Sequence, residues 1–251
     1  MNNPNISKIK NYVSLIIPVL NEEATLESII KRCSKQNIVK QLVIVNDGST
    51  DKTKQILSKT SKTPSKNTLI TVVHHKQNLG KGAAIKTGLQ NVFGKYVMVQ
   101  DADLEYAPEE IINLFNEAQK SRDGIVFGTR TRGKNKGYLL AQLGNWYLNM
   151  MFNILFGYKL TDSYTCYKLI PKQIWQEAAL ESEGFEIDSE LIAKLGVKKY
   201  KIAEIPISYN PRKYSEGKKI KWWDLVKATL AALDVRFKSF FVPLSQSDPK
   251  V

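Results

Sequence analysis

The sequence predicts an α/β protein whose mostly parallel sheet is flanked by helices. Short apolar runs rich in β-branched residues alternate with helical patterns four times within the first hundred residues. The runs are almost continuously apolar, which is typical of strands buried on both faces of a parallel sheet. Because parallel neighbours need a long crossover, this alternation indicates helices on both faces of the sheet.

The elements follow one another in a regular order along the chain. The first strand is followed by Asn21, a candidate helix cap, and the turn 47–51 begins the next helix. Further helices are predicted over about 78–91, from Pro108 and from Ile220. The predicted strands are 13–19, 42–46, 69–73, 96–99, 125–130, 165–170 and 200–208.

The charge balance narrows the class of partner. The 251 residues include 37 basic and 24 acidic side chains, a formal net charge of +13. Such an excess favours an anionic partner, whether nucleic acid, an acidic membrane surface or a phosphorylated substrate. Cys33 and Cys166 lie far apart in the sequence and indicate neither a metal knuckle nor a disulfide scaffold. The N-terminal segment has no apolar core, so we expect no signal peptide and a cytoplasmic location.

Three acidic side chains follow the fourth strand at alternate positions, Asp101, Asp103 and Glu105. In an extended chain all three point to the same side. A buried strand that delivers three carboxylates is costly unless a cation lies there. Oxygen ligands of this kind suit Mg²⁺ or Mn²⁺ shared with substrate phosphates. The alternative is a solvated acidic loop after a strand.

Two segments have the composition of amphipathic helices. Residues 137–158 carry no formal charge, which by length alone fits a membrane-spanning helix. Polar residues nevertheless recur at spacings of three and four, so we predict an amphipathic helix at an interface or packed on the domain. The stretch from Ile220 has aromatic and aliphatic residues at helical spacing, and its charges exclude a span. The polar residues of the first segment are Gln142, Asn145, Asn149 and Asn153.

Two common phosphate-binding motifs are excluded. The first strand ends without the Gly-x-Gly-x-x-Gly fingerprint of dinucleotide folds. The segment 80–87 has Ile85 before Lys86, where a Walker motif requires glycine.

Polar groups converge on one edge of the predicted sheet. Asn21-Glu22, Asp47-Gly48-Ser49 and Asp101-Ala102-Asp103 each follow a strand, and the carboxyl ends of parallel strands share an edge. Together with Asn78-Leu79-Gly80-Lys81-Gly82, these segments resemble the successive motifs of inverting family-two glycosyltransferases with the A-type nucleotide-sugar fold.

A narrower resemblance comes from the C-terminal part of the chain. Ile205-Pro206-Ile207-Ser208-Tyr209, with Arg212 and Glu216-Gly217-Lys218-Lys219, resembles the branch that makes polyprenyl-phosphate sugars, the dolichyl-phosphate mannose and glucose synthases and their relatives. The resemblance implies one catalytic domain over 1–215, followed by a basic loop and a membrane-proximal amphipathic helix over 216–251. It also implies transfer of a hexose, with inversion, from a GDP-mannose or UDP-glucose type donor to dolichyl or undecaprenyl phosphate.

The same resemblance implies roles for individual residues. Asp103 and Glu105 would hold Mg²⁺ or Mn²⁺, and Asp103, Arg130 and Arg212 would be catalytic. Partners would be a nucleotide-diphosphate sugar, a polyprenyl phosphate lipid and the cytoplasmic face of a membrane, with no nucleic acid. The substrate-binding residues would be Pro18, Asn21, Glu22, Asp47, Lys81, Asp101, Lys218 and Lys219.

Two other functions stay open. A related enzyme could glycosylate a sugar hydroxyl in cell-surface polysaccharide synthesis, and such relatives usually carry an acidic base near 186–190, often as a Glu-Asp dipeptide. No Glu-Asp dipeptide occurs in this sequence, which favours a phosphate acceptor. A non-enzymatic module could bind anionic surfaces, but it would have no reason to keep the Asp101-Ala102-Asp103 set.

Overall fold

A computed structural model of the chain describes residues 11–60, 67–131, 139–212 and 222–241. Its centre is a seven-stranded sheet with strand order β3-β2-β1-β4-β6-β5-β7. All neighbouring pairs are parallel except those of β6, which runs antiparallel to both β4 and β5. The predicted mostly parallel α/β fold is therefore confirmed. The strands are β1 Val13–Val19, β2 Val39–Asn46, β3 Leu69–His74, β4 Tyr96–Val99, β5 Ile125–Thr129, β6 Lys168–Pro171 and β7 Ile202–Pro206.

Helices cover both faces of this sheet, as the alternation of the sequence predicts. A short 3-10 helix, Pro108–Glu110, precedes the fourth α-helix. The α-helices are α1 Leu26–Ser34, α2 Thr53–Thr60, α3 Lys81–Leu89, α4 Ile111–Ala118, α5 Leu139–Phe156, α6 Lys172–Glu177, α7 Ile187–Val197 and α8 Trp222–Phe241.

The register of the central strands brings their carboxyl ends together. β1 pairs with β2 up to Val19 and Asn46, and the amide of Asp47 donates to the carbonyl of Val19 at 2.8 Å. On the other side of β1, the amide of Gln100 donates to the carbonyl of Ile16 at 2.9 Å. The residues after β1, β2 and β4 therefore begin at one edge of the sheet, which we call the donor edge.

The first helix begins later than predicted. Asn21 adopts a left-handed conformation with φ of 54°, and its Oδ1 accepts the amide of Thr50 at 2.8 Å. The side chain therefore ties the ends of β1 and β2 together, and α1 starts at Leu26. The prediction that Asn21 caps this helix is wrong because its oxygen already has this partner.

The two predicted amphipathic helices are α5 and α8. Among the described residues, none of the helices is long and apolar enough to cross a membrane. α8 packs on α7 and also contacts α5, with Ala228 and Ala232 buried in the same core as the sheet. The predicted boundary between 215 and 216 lies outside the described residues.

Candidate active site

Most of the predicted site residues meet in one cleft at the donor edge. The cleft has a volume of about 1340 Å³. Asn21 does not line it, since its side chain holds the loop after β2. Lys218 and Lys219 lie outside the described residues. The predicted residues that line the cleft are Pro18, Glu22, Asp47, Lys81, Asp101, Asp103, Glu105, Arg130 and Arg212.

Asp47 orders the loop that leads into α3. Its Oδ1 lies 2.7 Å from Nδ1 of His75 and accepts the amide of Leu79 at 2.9 Å, while Oδ2 accepts the amide of Gly80. His75 in turn contacts the hydroxyl of Thr87 through Nε2 at 2.9 Å. The buried carboxylate thus fixes the wall of the cleft from which α3 begins.

Lys81 and Asp101 form an ion pair across the cleft, with Nζ 2.7 Å from Oδ1. Burial alone would raise the pKa of Asp101, but the charge and hydrogen bond of Lys81 hold that pKa below its usual value. Burial likewise disfavours the charged ammonium of Lys81, yet the nearby carboxylates raise its pKa above the ordinary value. Both groups are therefore ionised at neutral pH and fixed in position.

The acidic stretch after β4 is a turn, not an extended strand. β4 ends at Val99, and Leu104 has a left-handed φ of 63°. The prediction of an extended chain is therefore wrong, although Asp101, Asp103 and Glu105 all line the cleft. Oδ1 of Asp103 accepts the amide of Glu105 at 3.1 Å.

The donor set fits a cation that also binds a substrate phosphate. Within the described ranges, no group of three or more His, Cys, Asp or Glu side chains could hold a metal ion. Mg²⁺ typically uses one or two carboxylates together with phosphate oxygens and water. Asp103 suits such a site, since its side chain lines the cleft and is 22% exposed, and its ion pair with Arg212 is long, at 3.9 Å from Oδ2. The metal role of Glu105 stays a prediction.

Arg130 is held by protein groups on most of its guanidinium. Nε and one terminal nitrogen donate to the fully buried carboxylate of Asp162 at 2.8 and 2.7 Å. The other terminal nitrogen donates to the hydroxyl of Tyr106 at 3.2 Å, and the guanidinium lies over the ring of Tyr209. Arg130 thus joins the strand β5 to the turn after β4 at the floor of the cleft.

Arg212 crosses the cleft from its C-terminal side. Its guanidinium donates to Oε2 of Glu22 at 2.8 Å and through Nε to the carbonyl of Asp103 at 3.0 Å. It therefore links the residues after β1 to those after β4. A cation at this place has the fixed pair of donors that suits a phosphate.

Asp188 lies in the region where an acidic base would be expected for a hydroxyl acceptor. It lines the cleft at the start of α7, and its Oδ1 lies 2.7 Å from Nζ of Lys168, a residue only 2% exposed. This ion pair engages the Asp188 carboxylate with a protein cation at the start of α7.

The asparagine stripe of α5 faces the protein and not the solvent. Asn149 accepts the amide of Ser163 at 2.7 Å and donates to the carbonyl of Thr161 at 2.7 Å. Asn145 donates to Asp162 at 2.9 Å, and Asn153 makes two hydrogen bonds with the backbone of Leu160. The polar stripe therefore holds the loop that carries the partner of Arg130.

A side of α5 next to this stripe and one side of α8 expose large apolar side chains. We call this surface the apolar face. It borders the cleft, whose lining includes Leu143, Trp146 and Leu225. The most exposed members are Leu143 at 54%, Trp146 at 62%, Ile154 at 73%, Trp223 at 57%, Leu230 at 60%, Phe237 at 61%, Phe240 at 66% and Phe241 at 82%.

Three residues of the site escaped the sequence analysis. Nothing around His75, Asp162 or Lys168 distinguishes these residues from ordinary polar positions in a loop or strand. Their partners are 28, 32 and 20 residues away in the chain. Only a residue that is both charged and inside an apolar run, as Lys168 is, offered a weak signal of a buried pair.

Comparisons with known proteins agree with this geometry. The family described as Glycosyl transferase family 2 matches residues 14–177. The low-salt glycan biosynthesis hexosyltransferase Agl6 of Haloferax volcanii is 28% identical over 82% of this chain and 49% of its own length. An undecaprenyl-phosphate 4-deoxy-4-formamido-L-arabinose transferase of Pectobacterium atrosepticum is 34% identical over 64% of this chain and 48% of its own.

The chain spans about half the length of these curated relatives. The same fold occurs in glucosyl-3-phosphoglycerate synthase from Mycobacterium tuberculosis, crystallised with Mn²⁺, uridine diphosphate and phosphoglyceric acid. That structure superposes with a TM-score of 0.66 at 18% identity and covers 94% of this chain and 80% of its own.

Proposed function

This chain belongs to glycosyl transferase family 2, and on that basis we propose that it moves a hexose from a nucleotide-diphosphate sugar to a polyprenyl phosphate. One observation carries the proposal. A single cleft runs from the charged donor edge, with Lys81 and Asp103, to the apolar face, with Leu143 and Trp146. A lipid phosphate needs both kinds of surface, because its head reacts at the polar end while its chain requires an apolar one.

The donor edge supplies the groups that such a donor requires. Lys81, Asp101 and Glu22 border the space where the nucleotide diphosphate would lie, and Asp47 fixes the wall behind it. Asp103 would hold Mg²⁺ or Mn²⁺ together with the diphosphate, and the cation would supply charge stabilisation for the leaving group. Arg212 would contribute a second positive charge near the same diphosphate or the acceptor phosphate.

The acceptor phosphate needs no general base. The second pKa of a phosphate monoester is about 6, so at neutral pH the group is largely a dianion. One of its oxygens forms the new bond to the anomeric carbon as the bond to the donor diphosphate breaks, with inversion and without proton transfer. The pairing of Asp188 with Lys168 supports this proposal, because that carboxylate is already engaged by an ammonium.

The apolar face would dock on the cytoplasmic face of a membrane. Trp and Phe side chains are suited to the interfacial region of a bilayer. The sequence places Lys218, Lys219 and Lys221 just before α8. Each basic residue close to an anionic surface contributes about 1 kcal/mol. Peripheral docking would bring the acceptor phosphate to the cleft while its chain stays in the bilayer.

A panel assay tests the donor and acceptor together. Purified protein would be incubated with undecaprenyl or dolichyl phosphate and each of several labelled nucleotide sugars, including GDP-mannose and UDP-glucose. We expect one donor to give a polyprenyl-phosphate sugar with the anomeric configuration inverted. Transfer to an oligosaccharide hydroxyl and none to lipid phosphate would contradict the proposal.

Two variants separate the acceptor classes within the same assay. We expect R212A to lose about 100-fold or more in turnover, the size typical for removal of one charge-stabilising donor. D188N should lose less than tenfold, because asparagine can still accept a hydrogen bond from Lys168. The reverse order, with folding and donor binding intact in D188N, would assign the chain to enzymes that glycosylate a hydroxyl.

A further inference from the structure

We propose that Glu105 is a positioning residue that holds Arg212 over the donor site, and that it is not a ligand of the metal. The relevant segment is residues 209–212, which we call the Arg212 strap. Both oxygens of the Glu105 carboxylate accept hydrogen bonds from this strap, whereas the Asp103 carboxylate reaches it only through a 3.9 Å ion pair with Arg212 among the described residues. The effect of Arg212 on a sugar donor rests on the proposed function, but the state of the strap does not.

Glu105 contacts the strap through both carboxylate oxygens and through its backbone carbonyl. Oε2 accepts the hydroxyl of Tyr209 at 2.9 Å, and Oε1 accepts the amide of Arg212 at 2.9 Å. The backbone carbonyl of Glu105 accepts the amide of Asn210, also at 2.9 Å. Three successive polar groups of the strap are therefore matched to one residue, and a cation bound to this carboxylate would compete with two of them.

The surroundings keep Glu105 in this orientation. The left-handed φ of Leu104 turns the chain between Asp103 and Glu105. Such a conformation in a non-glycine residue persists only where neighbouring contacts hold it. The ring of Tyr209 packs on Tyr106 with centroids 5.4 Å apart, which orients its hydroxyl towards the carboxylate. The turn therefore separates the two acidic residues that the sequence pattern had grouped.

The strap decides where the guanidinium of Arg212 lies. With its backbone fixed by Glu105, Arg212 reaches Glu22 after β1 at 2.8 Å and the carbonyl of Asp103 after β4 at 3.0 Å. Without that anchor, the long side chain would have to be ordered each time a donor binds. The expected role of Glu105 is thus to reduce the cost of binding the donor, which appears in KM more than in kcat.

The experiment uses the full chain and the variants E105A, E105Q and Y209F. Hydrogen–deuterium exchange of the peptide covering 207–212 reports the strap directly. We expect E105A to exchange at least tenfold faster and Y209F to exchange faster by a smaller factor. The exchange rate of E105Q should lie between those of the wild type and E105A, because the glutamine side-chain oxygen can still accept the Arg212 amide.

Glu110 provides a matched control. The Glu110 carboxylate accepts the amide and the hydroxyl of Ser208, each at 2.9 Å. Ser208 immediately precedes the strap, and Glu110 does not line the cleft. E110A removes a comparable carboxylate anchor without touching Arg212. We expect its donor KM to stay within twofold of the wild type, while that of E105A rises at least tenfold with a smaller change in kcat.

Metal binding decides between the two roles of Glu105. Mn²⁺ would be titrated by electron paramagnetic resonance in the presence of uridine or guanosine diphosphate, which needs no turnover. The proposal expects the Mn²⁺ affinity of E105A to stay within twofold of the wild type. A tenfold loss of Mn²⁺ affinity with unchanged exchange of the strap would overturn it. Because exchange and Mn²⁺ binding are independent of the reaction, they remain informative if no tested sugar is transferred.

Discussion

The donor edge and the apolar face use hydrogen bonds in opposite ways. At the donor edge, Asp47, Asp101 and Glu105 are each bound by fixed protein donors before any substrate arrives. On the apolar face, Trp146 and Ile154 of α5 are exposed, while Asn149 of the same helix is hydrogen-bonded into the protein. One region is therefore complete in itself, and the other presents surface that a water-exposed helix would normally bury.

This difference indicates which kind of interaction each region is suited to. Preorganised donors and charges act on a reacting group without having to reorient during the reaction. Large apolar side chains exposed along a helix are costly in water and mark a site for a membrane or another protein. The donor edge is consequently suited to chemistry and the apolar face to docking.

The largest effect should come from the donor edge. We expect D103N to reduce turnover by about three orders of magnitude, because several kcal/mol of charge stabilisation depend on this carboxylate. Its fold should be unchanged, since the Asp103 side chain makes one hydrogen bond to the backbone of Glu105 and a long ion pair with Arg212, and belongs to no apolar core. Steady-state turnover and circular dichroism of the two proteins check this. Full activity in excess chelator would show that no divalent cation takes part.

A weaker effect is expected at the apolar face. Replacing Trp223, Phe237 and Phe240 with serine removes exposed aromatic area from α8. Binding to anionic vesicles should fall at least about tenfold, since each buried aromatic side chain contributes about 1.5–3 kcal/mol. High salt should weaken binding as well. Sedimentation with vesicles measures both. If neither change alters vesicle binding, the apolar face does not dock on a membrane, and the proposed division between a chemical region and a docking region is contradicted.

The sequence predicted the two regions to different depths. Apolar runs and their spacing identify the strands and place 13–19, 42–46 and 96–99 beside one edge, because strand periodicity is a local property. The partners of the site residues depend on contacts between distant segments. No local sequence pattern predicts the pairs His75–Asp47 and Arg130–Asp162.

The acidic turn and the asparagine stripe show the same limit. Alternation at Asp101, Asp103 and Glu105 suggested an extended chain, but the left-handed Leu104 changes their directions. The stripe on α5 was predicted correctly as a stripe. Its orientation could not be predicted, because the loop that satisfies Asn149 lies beyond the helix.

The asparagine stripe of α5 gives the third prediction. N149L should lower the free energy of unfolding by about 1–3 kcal/mol, because it leaves the buried amide of Ser163 without its acceptor. I154S, on the exposed side of the same helix, should change it by less than about 0.5 kcal/mol. Urea unfolding compares the two variants. A larger loss in I154S would mean that the apolar side of α5 packs on the protein in solution.

The smallest effect is expected at an exposed ion pair behind the donor edge. Arg32 of α1 donates to both carboxylate oxygens of Glu109, at 3.0 and 2.6 Å, and ties α1 to the 3-10 helix that follows the acidic turn. These hydrogen bonds, with the charge of Arg32, lower the pKa of Glu109. A lowered carboxyl pKa stabilises the fold above the unfolded value of about 4.3, and that contribution is lost as pH falls through the folded value. The side chains of Arg32 and Glu109 are 34% and 52% exposed, so solvent screening limits the contribution to about 0–1 kcal/mol.

Urea unfolding of the wild type and E109Q at two pH values tests this estimate. We expect a difference of no more than about 1 kcal/mol at pH 7 and a smaller one at pH 3, where Glu109 is protonated in the unfolded chain and increasingly so in the folded one. Added salt should reduce the difference at pH 7. A difference above about 2 kcal/mol would mean that surface pairs contribute to the rigidity of the donor edge. The hydrogen bonds of Asp47, Asp101 and Glu105 would then not be sufficient to explain why this region is ordered before substrate arrives.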